Sequence, residues 1–213
     1  MLEKPQLRLT LFTDYICPFC YIGDLRLQRL QEDYDVLINF RFIEIHPDTP
    51  QLGTTVDSLD YSHEQWQGMM DGLVDMAQEE GITLAPVILL ANSHRALLLA
   101  EAVKKEGREI FYKFNQALYE QYFLSGRNIG DDGVLREIAQ ASGVSDEGID
   151  EALSDPEYEK TLQMNMSMAV KAGVTGTPTF FIGQQRLTGA VSTLKLKQAA
   201  EAYINEKNKQ GSH

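Results

Sequence analysis

The sequence predicts an α/β fold in which one sheet is interrupted by an all-helical insertion. Three observations carry this. A strand–helix–strand pattern fills the first 45 residues, a run of helical patterns fills the middle, and short apolar strands return only after residue 178. Strands at the two ends of the chain must then meet in one sheet, because a short strand cannot bury its apolar face alone. The segments are expected at residues 1–55 for the first part of the sheet domain, 56–172 for the helical insertion and 173–213 for the second part.

Leu7 to Phe12 alternates and then turns apolar, which reads as the first strand. The next helix is expected to run to about Tyr34, since Cys20, Gly23, Leu27, Leu30 and Tyr34 share one face. Val36 to Ile45 reads as a second strand, parallel to the first because a helix lies between them. His46-Pro47 ends it, as proline cannot continue a ladder. Residues 51 to 61 read as a loop. Ser62 with Gln65 three residues on is a capping box, Trp66, Met69, Leu73 and Ala77 form the face behind it, and Gly81 is the stop. His94 to Val103 is apolar nearly all round and should be buried. Phe111, Phe114, Leu118 and Tyr122 mark a further helix closed by Ser125-Gly126. Asp131 caps the next, which ends near Gly143, and Ser145 to Leu153 reads as a short one. Asp155-Pro156-Glu157 opens the last long helix of the insertion. Thr179–Ile182 and Arg186–Thr188 around Gly183 read as a hairpin, and Ser192 caps a closing helix. The tail from Lys207 to His213 is polar and is expected to fray.

Composition narrows the function. The 213 residues are 43% hydrophobic and 23% charged, an ordinary mix for a chain with a buried core, with a formal net charge of -12. That charge argues against nucleic acid and anionic membrane surfaces as partners. No stretch approaches the roughly 20 apolar residues of a membrane span, and Met1–Gln6 holds no apolar signal core, so a cytoplasmic location is expected. A monomer is the favoured expectation for the oligomeric state.

The two cysteines, Cys17 and Cys20, are three residues apart at the start of a helix. A thiol there faces unpaired backbone N–H groups and the positive end of the helix dipole, which favour thiolate. Pro18 suits the first turn, where a missing N–H costs nothing. Cys17 is therefore expected to be the nucleophile, and Cys20, on the core-facing stripe, the resolving thiol. A structural zinc would need two more ligands, and no other cysteine or paired histidine spacing supplies them. Stabilising the Cys17 thiolate favours the reduced pair, so the pair is expected to be more oxidising than a reductant of the thioredoxin kind. Asp14 either raises the Cys17 pKa by charge repulsion or is a solvated turn residue; it is expected to face solvent. His46 is read as a loop residue and His94 as structural.

The motifs Cys17-Pro18-Phe19-Cys20-Tyr21-Ile22-Gly23 and Gly173-Val174-Thr175-Gly176-Thr177-Pro178-Thr179-Phe180 together resemble the DsbA-like oxidoreductases of the thioredoxin superfamily, most closely the FrnE-like branch. Asn92–Leu98 and Phe123–Ile129 also look like that branch, so the likeness spans nearly the whole chain. It implies a thioredoxin fold, a central mixed sheet with flanking helices, interrupted by the helical insertion. It implies a cis peptide bond at Pro178 facing the cysteines, with catalysis by Cys17, Cys20 and Pro178. The activity implied is thiol–disulfide exchange, oxidoreductase or isomerase, with protein or peptide thiols. No metal or organic cofactor is implied, and glutathione is a candidate redox partner. Substrate would lie along Pro18, Phe19 and the Thr177 backbone, by strand addition. The last insertion helix carries Met164 and Met168, which form a second apolar stripe beside Tyr158, Leu162, Met166 and Ala169. That stripe is either an adaptable peptide surface or, the favoured expectation, buried. A related branch of glutathione-linked transferases and isomerases of small aromatics has serine where this chain has Cys17. That branch is one alternative; a redox-independent, client-binding chaperone-like or polyketide-pathway accessory protein is another.

Overall fold

The structure, a computed structural model, describes residues 4–86 and 89–210. In chain order its strands are β1 (Gln6–Thr13), β2 (Asp35–Phe42), β3 (Thr54–Thr55), β4 (Leu89–Leu90), β5 (Thr179–Ile182) and β6 (Gln185–Thr188). Its helices are α1 (Pro18–Gln28), α2 (His63–Glu80), α3 (His94–Val103), α4 (Arg108–Phe123), α5 (Asp132–Ser142), α6 (Asp146–Ser154), α7 (Pro156–Lys171) and α8 (Thr193–Gln210).

Alternation in β1 puts Leu7, Leu9, Leu11 and Thr13 on one buried face. β2 lies parallel to β1, from Leu7 opposite Val36 to Thr13 opposite Phe42. β5 pairs antiparallel on the other side of β1, with Leu11 opposite Phe180, and β6 pairs with β5. The sheet order is β2-β1-β5-β6, so both ends of the chain meet in one mixed sheet, as the pattern requires. α1 stops at Gln28 and a 3₁₀ turn, Arg29–Glu32, replaces the helix expected as far as Tyr34. The β2 ladder ends at Phe42 rather than Ile45. β3, inside the stretch that reads as loop, forms a two-residue ladder with β4. α8 carries the expected frayed tail in helical form as far as Gln210; residues 211–213 lie outside the described residues.

The caps fall where the sequence places them. Ser62 and Gln65 make both hydrogen bonds of the capping box, and Asp131, Ser145 and Asp155 each accept a backbone N–H at the start of α5, α6 and α7. Gly81 and Gly143 end α2 and α5 in the left-handed conformation.

The sheet and the helical segment share a core. Leu11, Phe40, Phe42 and Phe180 from the sheet cluster with Leu97 and Leu99 of α3 and Phe111 and Phe114 of α4. Polar contacts lock the two parts together. Arg26 of α1 pairs with Glu79 at 2.6 Å and Glu80 at 2.8 Å on α2 and donates to the Ala190 carbonyl. Along the free edge of β2, Arg108 donates to the Val36 carbonyl, Lys104 to Phe40 and Asn165 to Phe42. These bonds occupy main-chain acceptors that would otherwise invite another strand.

α7 corrects an expectation. Its buried face is Tyr158, Leu162, Asn165 and Ala169, whereas Met164, Met166 and Met168 are 52%, 38% and 46% exposed. Asn165 turns inward because it satisfies three partners at once: it accepts from Arg41 and donates to the Phe42 carbonyl and to Glu101. A buried amide with its bonds made outcompetes a methionine one position along. Among the described residues no helix is long and apolar enough to cross a membrane.

Candidate active site

β1 ends beneath the start of α1, and the chain between them, Asp14-Tyr15-Ile16, is buried. Cys17 is the N-cap residue of α1 (φ -86, ψ 113), with Pro18 in the first turn. The backbone N–H of Cys20 donates to the Cys17 carbonyl at 3.0 Å. Both cysteines are free thiols; Cys17 is 5% and Cys20 1% exposed. The Cys17 thiol donates to the Thr177 carbonyl at 3.5 Å. Thr177–Pro178 is a cis peptide bond, as the resemblance implies. The structure thus gathers Cys17, Cys20, Thr177 and Pro178 into one cluster, with Pro18 and Phe19 half-buried beside it. Met164 and Met168 lie on the solvent face of α7, whose C-terminal end leads through residues 172–177 into Pro178.

The two thiols are driven apart. The Cys17 pKa is lowered chiefly by the hydrogen bond from the Cys20 thiol, with further help from the Thr177 side chain and the Cys20 backbone N–H, against burial and the charge of Asp14. The Cys20 pKa is raised well above its ordinary value by burial, by that same hydrogen bond and by the charge of Cys17. A proton shared between two sulfurs cannot favour both, so the thiolate resides on Cys17, the sulfur at the helix terminus.

Asp14 does not face solvent. It is fully buried and accepts hydrogen bonds from the backbone N–H of Ile16 at 3.3 Å and of Ile45 at 2.9 Å. Burial, the largest effect, raises its pKa to about 7. The solvated-turn reading fails because the chain just past β2 folds over the end of β1 and encloses the carboxyl. A second buried acid, Asp24 of α1, is raised to about 6 by burial; Gln28 donates to one of its oxygens and Asn115 to the other. Tyr15 in turn donates to the Asn115 side-chain oxygen Oδ1 at 3.0 Å.

Two residues that sequence reasoning passed over complete the cluster. Thr13, with a hydroxyl where Leu7, Leu9 and Leu11 set an apolar alternation, acts on Cys20 to lower that thiol's pKa against the larger effect of burial, and its Oγ1 lies 2.8 Å from the Tyr119 hydroxyl. The break in that alternation was the available signal. His46 borders a surface cleft with Pro47, Thr49, Leu59 and Leu90, and burial lowers its pKa. His94 bridges Glu44 through Nδ1 and Glu159 through Nε2, each at 3.1 Å, and the Glu44 hydrogen bond raises its pKa. It ties β2 to α7. Among the described residues no group of three or more His, Cys, Asp or Glu side chains is placed to hold a metal.

Gly23 sets how close the proline loop can come. A Cβ added there would stand 3.0 Å from the Pro178 ring and 3.0 Å from the fully buried Phe180 ring. Gly23→Ala should therefore push the loop away from Cys17, slowing exchange severalfold and costing about 1–3 kcal/mol of stability from overpacking. Exchange rates and a denaturant melt read both; a variant with wild-type values in each would show that the loop yields freely.

Comparison with known proteins gives three kinds of match. A family model described as a DSBA-like thioredoxin domain matches residues 8–201. The Bacillus subtilis protein YwbO, which is uncharacterised, is 24% identical over 204 residues, covering 94% of this chain and 97% of its own. A Streptomyces coelicolor protein described as a probable DsbA oxidoreductase superposes with a TM-score of 0.83 at 24% identity, covering 94% of this chain and 91% of that one. A 2-hydroxychromene-2-carboxylate isomerase superposes with a TM-score of 0.71 at 17% identity, over 97% of this chain and all of that one. At these identities the two structures establish the thioredoxin-like fold, a mixed sheet with flanking helices.

Proposed function

The chain belongs to the DSBA-like thioredoxin domain family, and on that premise we propose that it exchanges disulfides with protein or peptide thiols through Cys17 and Cys20. The observation that carries this is the placement of Cys17 as the N-cap residue of α1, its sulfur 3.5 Å from the carbonyl of Thr177 in the cis Thr177–Pro178 pair, with Cys20 buried behind it. In the oxidising direction a substrate thiolate attacks the Cys17 sulfur of the Cys17–Cys20 disulfide and Cys20 leaves as thiolate. A second substrate thiolate then attacks the substrate sulfur of the mixed disulfide. The substrate gains a disulfide and the enzyme pair takes up two electrons. In the reducing direction the Cys17 thiolate attacks a substrate disulfide and Cys20 resolves the adduct.

An extended substrate segment lies along Thr177, Pro18 and Phe19. The exposed Met164 and Met168 offer flexible apolar contact to client chains, a use that their side chains suit. Glutathione serves as the small-molecule redox partner, in a cytoplasmic protein of the FrnE-like branch. The fold shared with the hydroxychromene carboxylate isomerase supports a second reading, a glutathione-linked isomerase of small aromatics. Turnover of such a substrate that survives loss of Cys20 would favour it.

The experiment is equilibration of the protein against a glutathione series, with the two thiols counted by alkylation. A single two-electron transition at a potential above about -270 mV is expected, because hydrogen bonds to the Cys17 sulfur stabilise its thiolate and therefore the reduced pair. Failure of the two thiols to oxidise together would overturn the reading.

A further inference from the structure

We propose that Thr13 and Tyr119 form a hydroxyl relay that holds the Cys20 thiolate as it resolves the mixed disulfide; this rests on the disulfide-exchange reading. Cys20 is 1% exposed, so bulk water cannot solvate the anion it must become. Two groups favour the anion in its place, the Thr13 hydroxyl and the Asp14 backbone N–H, while the Cys17 side chain opposes it. Thr13 is 0% and Tyr119 1% exposed, and their oxygens are 2.8 Å apart with either able to donate. The Tyr119 ring is fixed by stacking on Tyr21 at 5.4 Å and by a tilted contact with Tyr15 at 4.9 Å.

Each hydroxyl carries one proton, which sets the direction of the chain. Once substrate sulfur is bonded to Cys17, the Cys20 S–H no longer has a thiolate to donate to; while Cys20 is still a thiol its S–H donates to Thr13, and Thr13 donates to Tyr119. Once Cys20 is a thiolate, Thr13 donates to the sulfur and must accept from Tyr119. The chain reverses without moving a heavy atom. The charged and titratable groups that face this pair are Cys17 and Asp14, next to it, and Asp24 of α1 and Tyr15, which face Tyr119. Before reaction the Cys17 thiolate opposes a second anion. Once Cys17 is bonded to substrate sulfur that opposition is gone, and the relay and the Asp14 N–H are left to stabilise Cys20. Tyr119 belongs to α4, so the helical segment supplies part of the resolving step.

Reduced protein and 5,5′-dithiobis(2-nitrobenzoate) separate the two steps. The Cys17 thiolate attacks the reagent disulfide and releases one thionitrobenzoate. Cys20 loses its proton to solvent and attacks the Cys17 sulfur, forming the Cys17–Cys20 bond and releasing the second thionitrobenzoate. The two cysteines are oxidised by two electrons and the reagent disulfide is reduced. Thr13→Val, which keeps shape and strand preference, should slow the second release about tenfold or more and raise its pH midpoint by about one unit. The first release should stay within about twofold, since the relay does not touch Cys17. Tyr119→Phe should slow the second release about threefold, and Thr13→Ser should restore it. A Thr13→Val variant with wild-type kinetics in both releases, or with both slowed equally, overturns the relay while leaving the exchange reading intact. Wild-type protein that releases a single equivalent overturns both.

Discussion

Cys17→Ser should lower disulfide exchange by about three orders of magnitude or more, while Cys20→Ser should keep the first attack and trap its adduct. The serine hydroxyl stays protonated near neutral pH, and the donors around position 17 cannot supply the missing nucleophile. Those donors act on an anion that serine does not form. In Cys20→Ser the Cys17 sulfur survives, and a serine hydroxyl can replace the Cys20 thiol as hydrogen-bond donor. Cys17 should therefore remain acidic, and its mixed disulfide with glutathione should accumulate because no second thiol is near enough to resolve it. Intact-mass measurement after mixing with oxidised glutathione reads the adduct, and iodoacetamide labelling reads the thiolate. If Cys20→Ser labels no faster than the double variant, the roles of the two cysteines are wrongly assigned.

Asp14→Asn should abolish a pH dependence of folding stability worth about 4 kcal/mol. Unfolded, the carboxyl loses its proton near 3.8; folded, it keeps the proton to about 7. Below about pH 4 both states are protonated and burial of the acid adds no linkage cost. Between about pH 4 and 7 the unfolded chain binds fewer protons, so stability falls as pH rises, by about 1.36 kcal/mol per unit. Above about pH 7 the loss is complete. Asparagine does not titrate, but it sets an amide N–H₂ against one of the Ile16 and Ile45 N–H donors, a cost of about 1–3 kcal/mol at every pH. The variant should be the less stable protein at pH 4 and should gain on wild type as pH rises. Asp24, raised to about 6, adds a smaller trend of the same sign to both proteins. Urea melts at pH 4 and pH 8 measure the difference; a gap between variant and wild type that does not change with pH would refute the assignment. The charge at Asp14 also opposes the Cys17 thiolate. Asp14→Asn should accordingly shift the pH profile of Cys17 alkylation to lower pH.

What the sequence discloses and what it withholds divide along one line. Features set by neighbours in the chain were legible: the Ser62–Gln65 box, the Asp131 and Asp155 caps, the Gly81 stop and the placement of Cys17 at the head of α1. So were the mixed sheet and the proline loop, because two specific motifs at opposite ends of the chain imply a known arrangement. Features set by distant backbone were not. Asp14 is enclosed because the Ile45 N–H, 31 residues away, needs an acceptor, and nothing in the sequence shows which main-chain donor goes unpaired. The two-residue ladder of Thr54–Thr55 with Leu89–Leu90 is too short to leave a periodic trace. The run Met164-Asn165-Met166-Ser167-Met168 offers an apolar residue at every second position, so more than one rotation of the helix looks equally buried. Thr13 and Tyr119 belonged to recognisable elements, and only their meeting across two segments was hidden.

That ambiguity in α7 was resolved by one amide, and the consequence is rotational. A helix advances about 100° per residue, so seating position 166 instead of 165 would turn the whole cylinder by that angle. Asn165 acts as a key in a lock with fixed wards: the Phe42 carbonyl, Arg41 and Glu101 accept it in one orientation only. With an apolar residue in its place, nothing polar would distinguish the present setting from its neighbour. The surface shown to solvent by the last turns of α7, just ahead of the proline loop, is thus chosen by a side chain that solvent never touches.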